Sequence, residues 1–109
     1  FPKDSSTVLL FFLSSCPSCH RMIPEWNQAF ARKPGALRVH GVLLDKEPPG
    51  FFLGMPMSFP VLRGPAGEFR RTYKLNRVPL TVRVGPGGRV TDVGVGQLDR
   101  IRLGELFAP

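Results

Sequence analysis

Cys16-Pro17-Ser18-Cys19 is the one stretch whose residue types and spacing could carry chemistry by themselves. Two cysteines three positions apart, with Pro17 suited to a first helical position, read as a C-x-x-C pair at a helix start. The first sulfur then sits over unpaired backbone N–H groups and the positive end of the helix dipole. That place favours a thiolate, which is the nucleophilic form. The second sulfur lies one turn on, close enough to close a disulfide. Reversible thiol–disulfide exchange needs this division into an accessible attacker, here Cys16, and a shielded resolver, here Cys19. Such a site needs no cofactor beyond the Cys16–Cys19 disulfide itself.

Three other chemistries share the motif. The pair could be a static, redox-inert disulfide. It could be half of a zinc site, but there is no second cysteine pair, and His20 and His40 are the only histidines, so no metal is expected. Cys16 to His20 also matches C-x-x-C-H, the attachment motif of c-type haem, with His20 as proximal ligand and Met22, Met55 or Met57 as distal partners. Against haem, the motif directly follows an apolar strand, and several strands are visible where haem packing needs a mostly helical wrap.

The elements that must position the pair follow from composition and pattern. The chain has 109 residues, 42% apolar and 21% charged, which suits one compact domain over residues 1–109 with a buried core. Its 12 Gly and 12 Pro are scattered, which excludes a collagen-like repeat. The longest apolar run is Val8 to Leu13, far short of the about 18 residues of a membrane span. The chain opens at Phe1-Pro2 with no initiator Met and no signal peptide, so an excised or processed piece of a longer anchored or secreted precursor is expected. The net charge is +7, yet the 15 basic residues are spread along the chain, densest at Arg70, Arg71 and Lys74. With no RNA-binding or helix-turn-helix signature, they read as a solvated surface, and no nucleic-acid partner is expected.

Val8 to Leu13 reads as a strand buried on both faces. Met22, Ile23, Trp26, Ala29 and Phe30 follow at helical spacing from Pro17 to before Pro34-Gly35, with Pro24 expected to kink the helix. Leu37 to Leu44 reads as a second strand, closed by Asp45, making a strand–helix–strand unit with parallel strands. Residues 46–65 look irregular, with room for one short helix and one extended piece. Glu68 to Leu75 fits a short helix. Leu80–Val84 and Val90–Val95 alternate as strands around the turn at Gly85-Pro86-Gly87-Gly88. Leu98, Ile101, Leu103, Leu106 and Phe107 suggest a closing amphipathic helix. The order is β-α-β, then α, then β-β-α.

That order, the C-x-x-C pair, a proline five residues after the second cysteine, and Val78-Pro79-Leu80-Thr81 entering the hairpin together resemble the thioredoxin fold. The resemblance implies an α/β domain with a four-stranded mixed sheet flanked by helices. It also implies a cis Pro79 facing the cysteines and a Val78 backbone that pairs with the substrate chain. Within that superfamily the chain is most similar to the TlpA-like branch of thiol–disulfide oxidoreductases, with MauD-like features. Val8 to Leu13, the Cys19 to Pro24 spacing, the 46–65 segment with Phe59-Pro60-Val61, the Glu68-Phe69 to Tyr73 helix and Gly87-Gly88-Arg89-Val90 carry this likeness.

The resemblance implies a monomeric reductant working outside the cytoplasm on client proteins that carry a disulfide. It would be tethered by an anchor segment missing from this chain and recharged by a membrane-embedded thiol electron donor. Ser15, Pro17, Ser18 and His20 form the active-site loop, while Val78, Pro79, Gly94 and Gly96 bind substrate. Trp26, Phe51 and Phe52 are expected in the core. A binding or assembly module for cofactor-protein maturation, with weak redox activity, is the alternative. Three positions depart from the pattern. Ser15 replaces a frequent Trp, Leu10 stands where thioredoxins carry a buried Asp, and Met22 stands where TlpA-like reductases usually carry Glu. Neither Leu10 nor Met22 can take the proton of the resolving thiol, which leaves water or His20.

Overall fold

Thr7–Phe12 (β1) forms the middle of a sheet because it is apolar toward both faces. Val8, Leu10 and Phe12 point one way and are completely buried, while Phe11 packs with Leu9 and Leu13 on the other side. A computed structural model describes residues 5–63 and 77–109. Beside β1 runs Arg38–Leu43 (β2), parallel, with Thr7 opposite Arg38 and Phe12 opposite Leu43. Leu80–Val84 (β4) lies antiparallel on its other side and pairs in turn with Val90–Val95 (β5). Val61–Arg63 (β3) pairs parallel with β2, so the order is β3-β2-β1-β4-β5.

The sheet therefore has five strands among the described residues, where the pattern suggested four. The fifth comes from the stretch read as irregular. β3 is three residues long, with Leu62 and Arg63 exposed, too short for an alternation to show. Its pairing is tertiary: the Gly41 N–H donates to Pro60 O at 2.8 Å. Phe59 then lies over β2 so closely that a Cβ at Gly41 would stand 2.7 Å from its ring, which only glycine permits. The short helix of that stretch is Phe51–Gly54 (α2).

Pro17–Arg32 (α1) connects β1 to β2 and runs unbroken through the exposed Pro24. It buries Cys19, Met22, Ile23 and Trp26 against the Val8, Leu10 and Phe12 face. Arg100–Leu106 (α3) adds Leu103 and Leu106 to that core. It begins later than its apolar pattern because Asp99 is its cap, Oδ1 accepting the Arg102 N–H at 2.8 Å. The hairpin turn holds Gly87 at φ 82°, in the left-handed region that favours glycine. The helix expected over 68–75, with Arg70, Arg71 and Lys74, lies outside the described residues. Among the described residues no helix is long and apolar enough to cross a membrane.

Candidate active site

Parallel and antiparallel neighbours of β1 bring four chain segments to one edge of the sheet. β1 and β2 both run toward that edge, and β4 starts there because it is antiparallel to β1. β5 returns to it, with Val95 opposite Leu80. The loop after β1, the residue after β2, the residues before β4 and those after β5 therefore meet. Side chains beyond the carboxyl ends of adjacent parallel strands commonly form the ligand crevice of such sheets.

Cys16 is the N-cap of α1, with φ −93° and ψ 115°, and Pro17 follows at the first helical position. The Cys16 Sγ accepts the Cys19 backbone N–H at 3.2 Å, doing with sulfur what a serine cap does with oxygen. It also faces Val78 O at 3.9 Å. The two cysteines are separate thiols with unequal surroundings: Cys16 is half-buried, whereas Cys19 has 0% exposure. Burial pushes the Cys19 thiol up to about 12. A hydrogen bond with Cys16 adds to this, a backbone hydrogen bond from Leu13 opposes it, and the charges of Cys16 and Asp45 raise it further.

Val78–Pro79 is a cis peptide, and Pro79 is fully buried at the start of β4. Gly96, at φ 77°, donates its N–H to Pro79 O at 2.8 Å, so the end of β5 is tied to this proline. Gly94 stands elsewhere. It is buried under α3, where an added Cβ would come within 2.5 Å of Leu98 and 2.9 Å of Leu106. Its small size serves helix packing, so it does not line the crevice with Gly96.

Ser15 and Pro17 are exposed beside Cys16, and the Ser18 Oγ accepts from Arg21 Nη2 at 3.3 Å. His20 is committed. Its Nε2 hydrogen-bonds the Ser14 carbonyl, an acceptor, so that nitrogen carries the proton. Its ring packs on Phe51 at 5.7 Å. Phe51 and Phe52 are half-buried, which puts Phe51 at the rim of the site as well as against the core. The Nε2 bond withdraws the nitrogen that would serve as proximal ligand of a haem. The complete burial of Cys19 and Met22 likewise withdraws a thioether sulfur and a distal ligand. No three His, Cys, Asp or Glu among the described residues are arranged to hold a metal ion.

Asp45 is the residue that sequence reasoning passed over, reading it only as the end of a strand. Its carboxylate accepts the Ser14 N–H at 2.8 Å and the Ser14 hydroxyl at 2.9 Å, with the Ser15 hydroxyl at 3.4 Å. The signal that could have found it is topological: it directly follows a strand parallel to the one that ends in the C-x-x-C loop.

The fold is that of known thiol–disulfide oxidoreductases. StoA from Bacillus subtilis superposes with a TM-score of 0.82 at 21% identity, covering 95% of this chain and 83% of its own. A Chlorobium tepidum protein described as thiol:disulfide interchange protein DsbE gives 0.78 at 26% identity, covering 95% and 76%. A secreted Mycobacterium tuberculosis disulfide oxidoreductase homologous to E. coli DsbE gives 0.76 at 20% identity, covering 94% and 80%. No family model matches the sequence. No curated protein matches it either.

Proposed function

We propose that this thioredoxin-fold chain is a thiol–disulfide oxidoreductase that reduces disulfides of client proteins outside the cytoplasm. The asymmetry of the cysteine pair carries this reading: one sulfur meets solvent on a helix cap, while the other is fully buried one turn below it. Cys16 as thiolate attacks a client disulfide, forming a mixed disulfide and releasing one client thiolate. Cys19, deprotonated, then attacks the Cys16 sulfur. The bond from Cys16 to the client breaks, the second client sulfur leaves with its electron pair, and a Cys16–Cys19 disulfide remains. Two electrons have passed from the dithiol to the client. A membrane-embedded thiol donor returns them by the reverse exchange.

Val78, half-buried with its carbonyl toward Cys16, aligns the client backbone by strand addition. Pro79 and Gly96 hold that edge in place, and Ser15, Pro17, Ser18 and the Phe51 rim face the client. The reducing direction and the extracytoplasmic setting rest on likeness to TlpA-like proteins and on the secreted neighbour.

Two results test the reading. Cys19→Ala protein, offered an oxidised protein substrate, should accumulate a mixed disulfide through Cys16 that dithiothreitol releases. A Cys16→Ser, Cys19→Ala double variant should capture nothing. If the single variant also captures nothing, the chain is a binding module rather than an exchanger. The direction is read from the equilibrium potential of the pair, titrated in dithiothreitol buffers with thiol alkylation as readout. It should lie near the reducing end of the C-x-x-C range, about −250 mV, and a value near −120 mV would mean an oxidant instead.

A further inference from the structure

We propose that Lys46, Arg77 and Arg21 form a cationic ring around Cys16 that selects client disulfides set in acidic stretches of chain. This rests on the exchange mechanism above and names the class of client it serves. The three charges come from three separate elements that meet at this edge of the sheet. Arg77 directly precedes Val78, whose carbonyl faces the Cys16 sulfur at 3.9 Å. Lys46 directly follows Asp45, whose carboxylate holds Ser14 and Ser15 of the loop that leads to Cys16. Arg21 lies in α1, and its Nη2 donates to Ser18 Oγ at 3.3 Å, inside the C-x-x-C pair. Lys46 and Arg77 each stand one peptide unit, about 3.8 Å between Cα atoms, from a residue that touches Cys16 or its loop. All three cations are exposed.

Their charge is not cancelled locally. Among the described residues none of the three forms an ion pair. Glu47, next to Lys46, is taken by Arg63. Asp45 is the one carboxylate, among the described residues, bonded to the Cys16 loop, so three cations face one anion. α1 has no acidic residue in its first turn, where a carboxylate would complement the helix dipole, so the positive end of the helix adds to the ring. α2 is uncharged, and β5 is followed at this edge by Gly96 and Gln97. On the outer side of Arg21, Glu25, Asp99 and Arg100 share a hollow with it, and Asp99 is engaged there as the cap of α3.

A field of one sign around a cleft raises the local concentration of oppositely charged ligands and their rate of association. The charges need not touch the client to do this, because screening sets in only over about 8 Å at physiological salt and about 30 Å at 0.01 M. A client strand paired with Val78 runs beside Arg77 and lies against the loop that Lys46 and Arg21 flank. Aspartate or glutamate next to the client cysteine is drawn in, and lysine there is repelled.

The test uses three probes, each joining a fluorophore-bearing peptide to a quencher-bearing one through a disulfide flanked by Asp, Asn or Lys. Reduced protein is mixed with each in a stopped-flow instrument. At 0.01 M salt the Asp probe should react about tenfold faster than the Asn probe, and the Lys probe slower still. At 0.5 M salt the three should agree within about twofold. A Lys46→Gln, Arg77→Gln double variant should cut the low-salt Asp advantage to about threefold or less. An Arg38→Gln, Arg89→Gln double variant removes as much charge at the opposite edge, where β2 begins and the β4–β5 turn lies, and should keep the advantage. Equal loss of the advantage in both variants would assign it to net charge and overturn the ring. So would equal slowing of all three probes in Lys46→Gln, Arg77→Gln, which marks cations acting on the Cys16 thiolate instead of on the client. A ring that serves an anionic membrane surface would leave the probes alike, while wild type but not that variant sediments with phosphatidylglycerol vesicles; this also overturns the proposal. If the variant does not fold, wild-type salt dependence decides: an Asp advantage that is absent at 0.01 M, or undiminished at 0.5 M, excludes steering. A protein that reduces none of the probes would instead sink the exchange mechanism itself.

Discussion

Cys16→Ser should lose disulfide reductase activity while keeping its fold. With dithiothreitol as electron source and insulin as substrate, turnover is expected to fall at least about a thousandfold, equivalent to about 4 kcal/mol of barrier. The loss is chemical. A serine hydroxyl stays protonated at neutral pH and does not attack a disulfide, and buried Cys19 cannot take over because no client reaches it. The structural role passes on intact. Cys16 caps α1 by accepting the Cys19 N–H, and serine is among the best residues for that task. Thermal unfolding of Cys16→Ser should therefore match wild type. Retained turnover would put the chemistry on another residue, and a large drop in stability would mean the cap depends on sulfur.

Trp26→Ala should cost about 3–5 kcal/mol of folding free energy, a large part of the about 5–15 kcal/mol that a domain possesses. The chain's single Trp is completely buried on α1. Its ring meets Phe12 edge-on at 6.2 Å and Phe59 at 6.3 Å, joining the helix to β1 and to the segment that leads into β3. Its indole Nε1–H donates to Thr81 Oγ1 at 3.1 Å, and Thr81 is itself completely buried on β4. Alanine would leave both a cavity and an unpaired hydroxyl. Trp26→Phe should recover most of the packing but not that hydrogen bond, and so fall between the two. Urea unfolding followed by circular dichroism measures this without the lost fluorophore. A loss under about 1 kcal/mol would show that the two remaining aromatic rings, Phe12 and Phe59, repack around the gap.

Local patterns announced most of the elements and the cysteine pair. Leu80–Val84 and Val90–Val95 alternate, α1 carries its apolar stripe after Pro17, and β1 is apolar throughout. Each signal depends on residues close together in the chain, where periods of two or 3.6 decide which faces are buried. Cys16 and Cys19 belong to the same class, since their relation is one helical turn. β3 was invisible because three residues cannot show a period and its stability comes from Gly41 and Phe59.

The same division holds at the site. Gly94 and Gly96 look alike in sequence, yet α3 packs on the first while the second ties β5 to Pro79. His20 looked available as a base until the fold placed its Nε2 against Ser14 O. Asp45 stands 26 positions beyond Cys19 in the chain, and only parallel pairing of β1 with β2 carries it to Ser14. The type and spacing of residues determined that this protein has two cysteine sulfurs one turn apart at the start of one helix. Which carbonyl faces the first sulfur was decided by strand order, because Cys16 Sγ and Val78 O join residues that no local period connects.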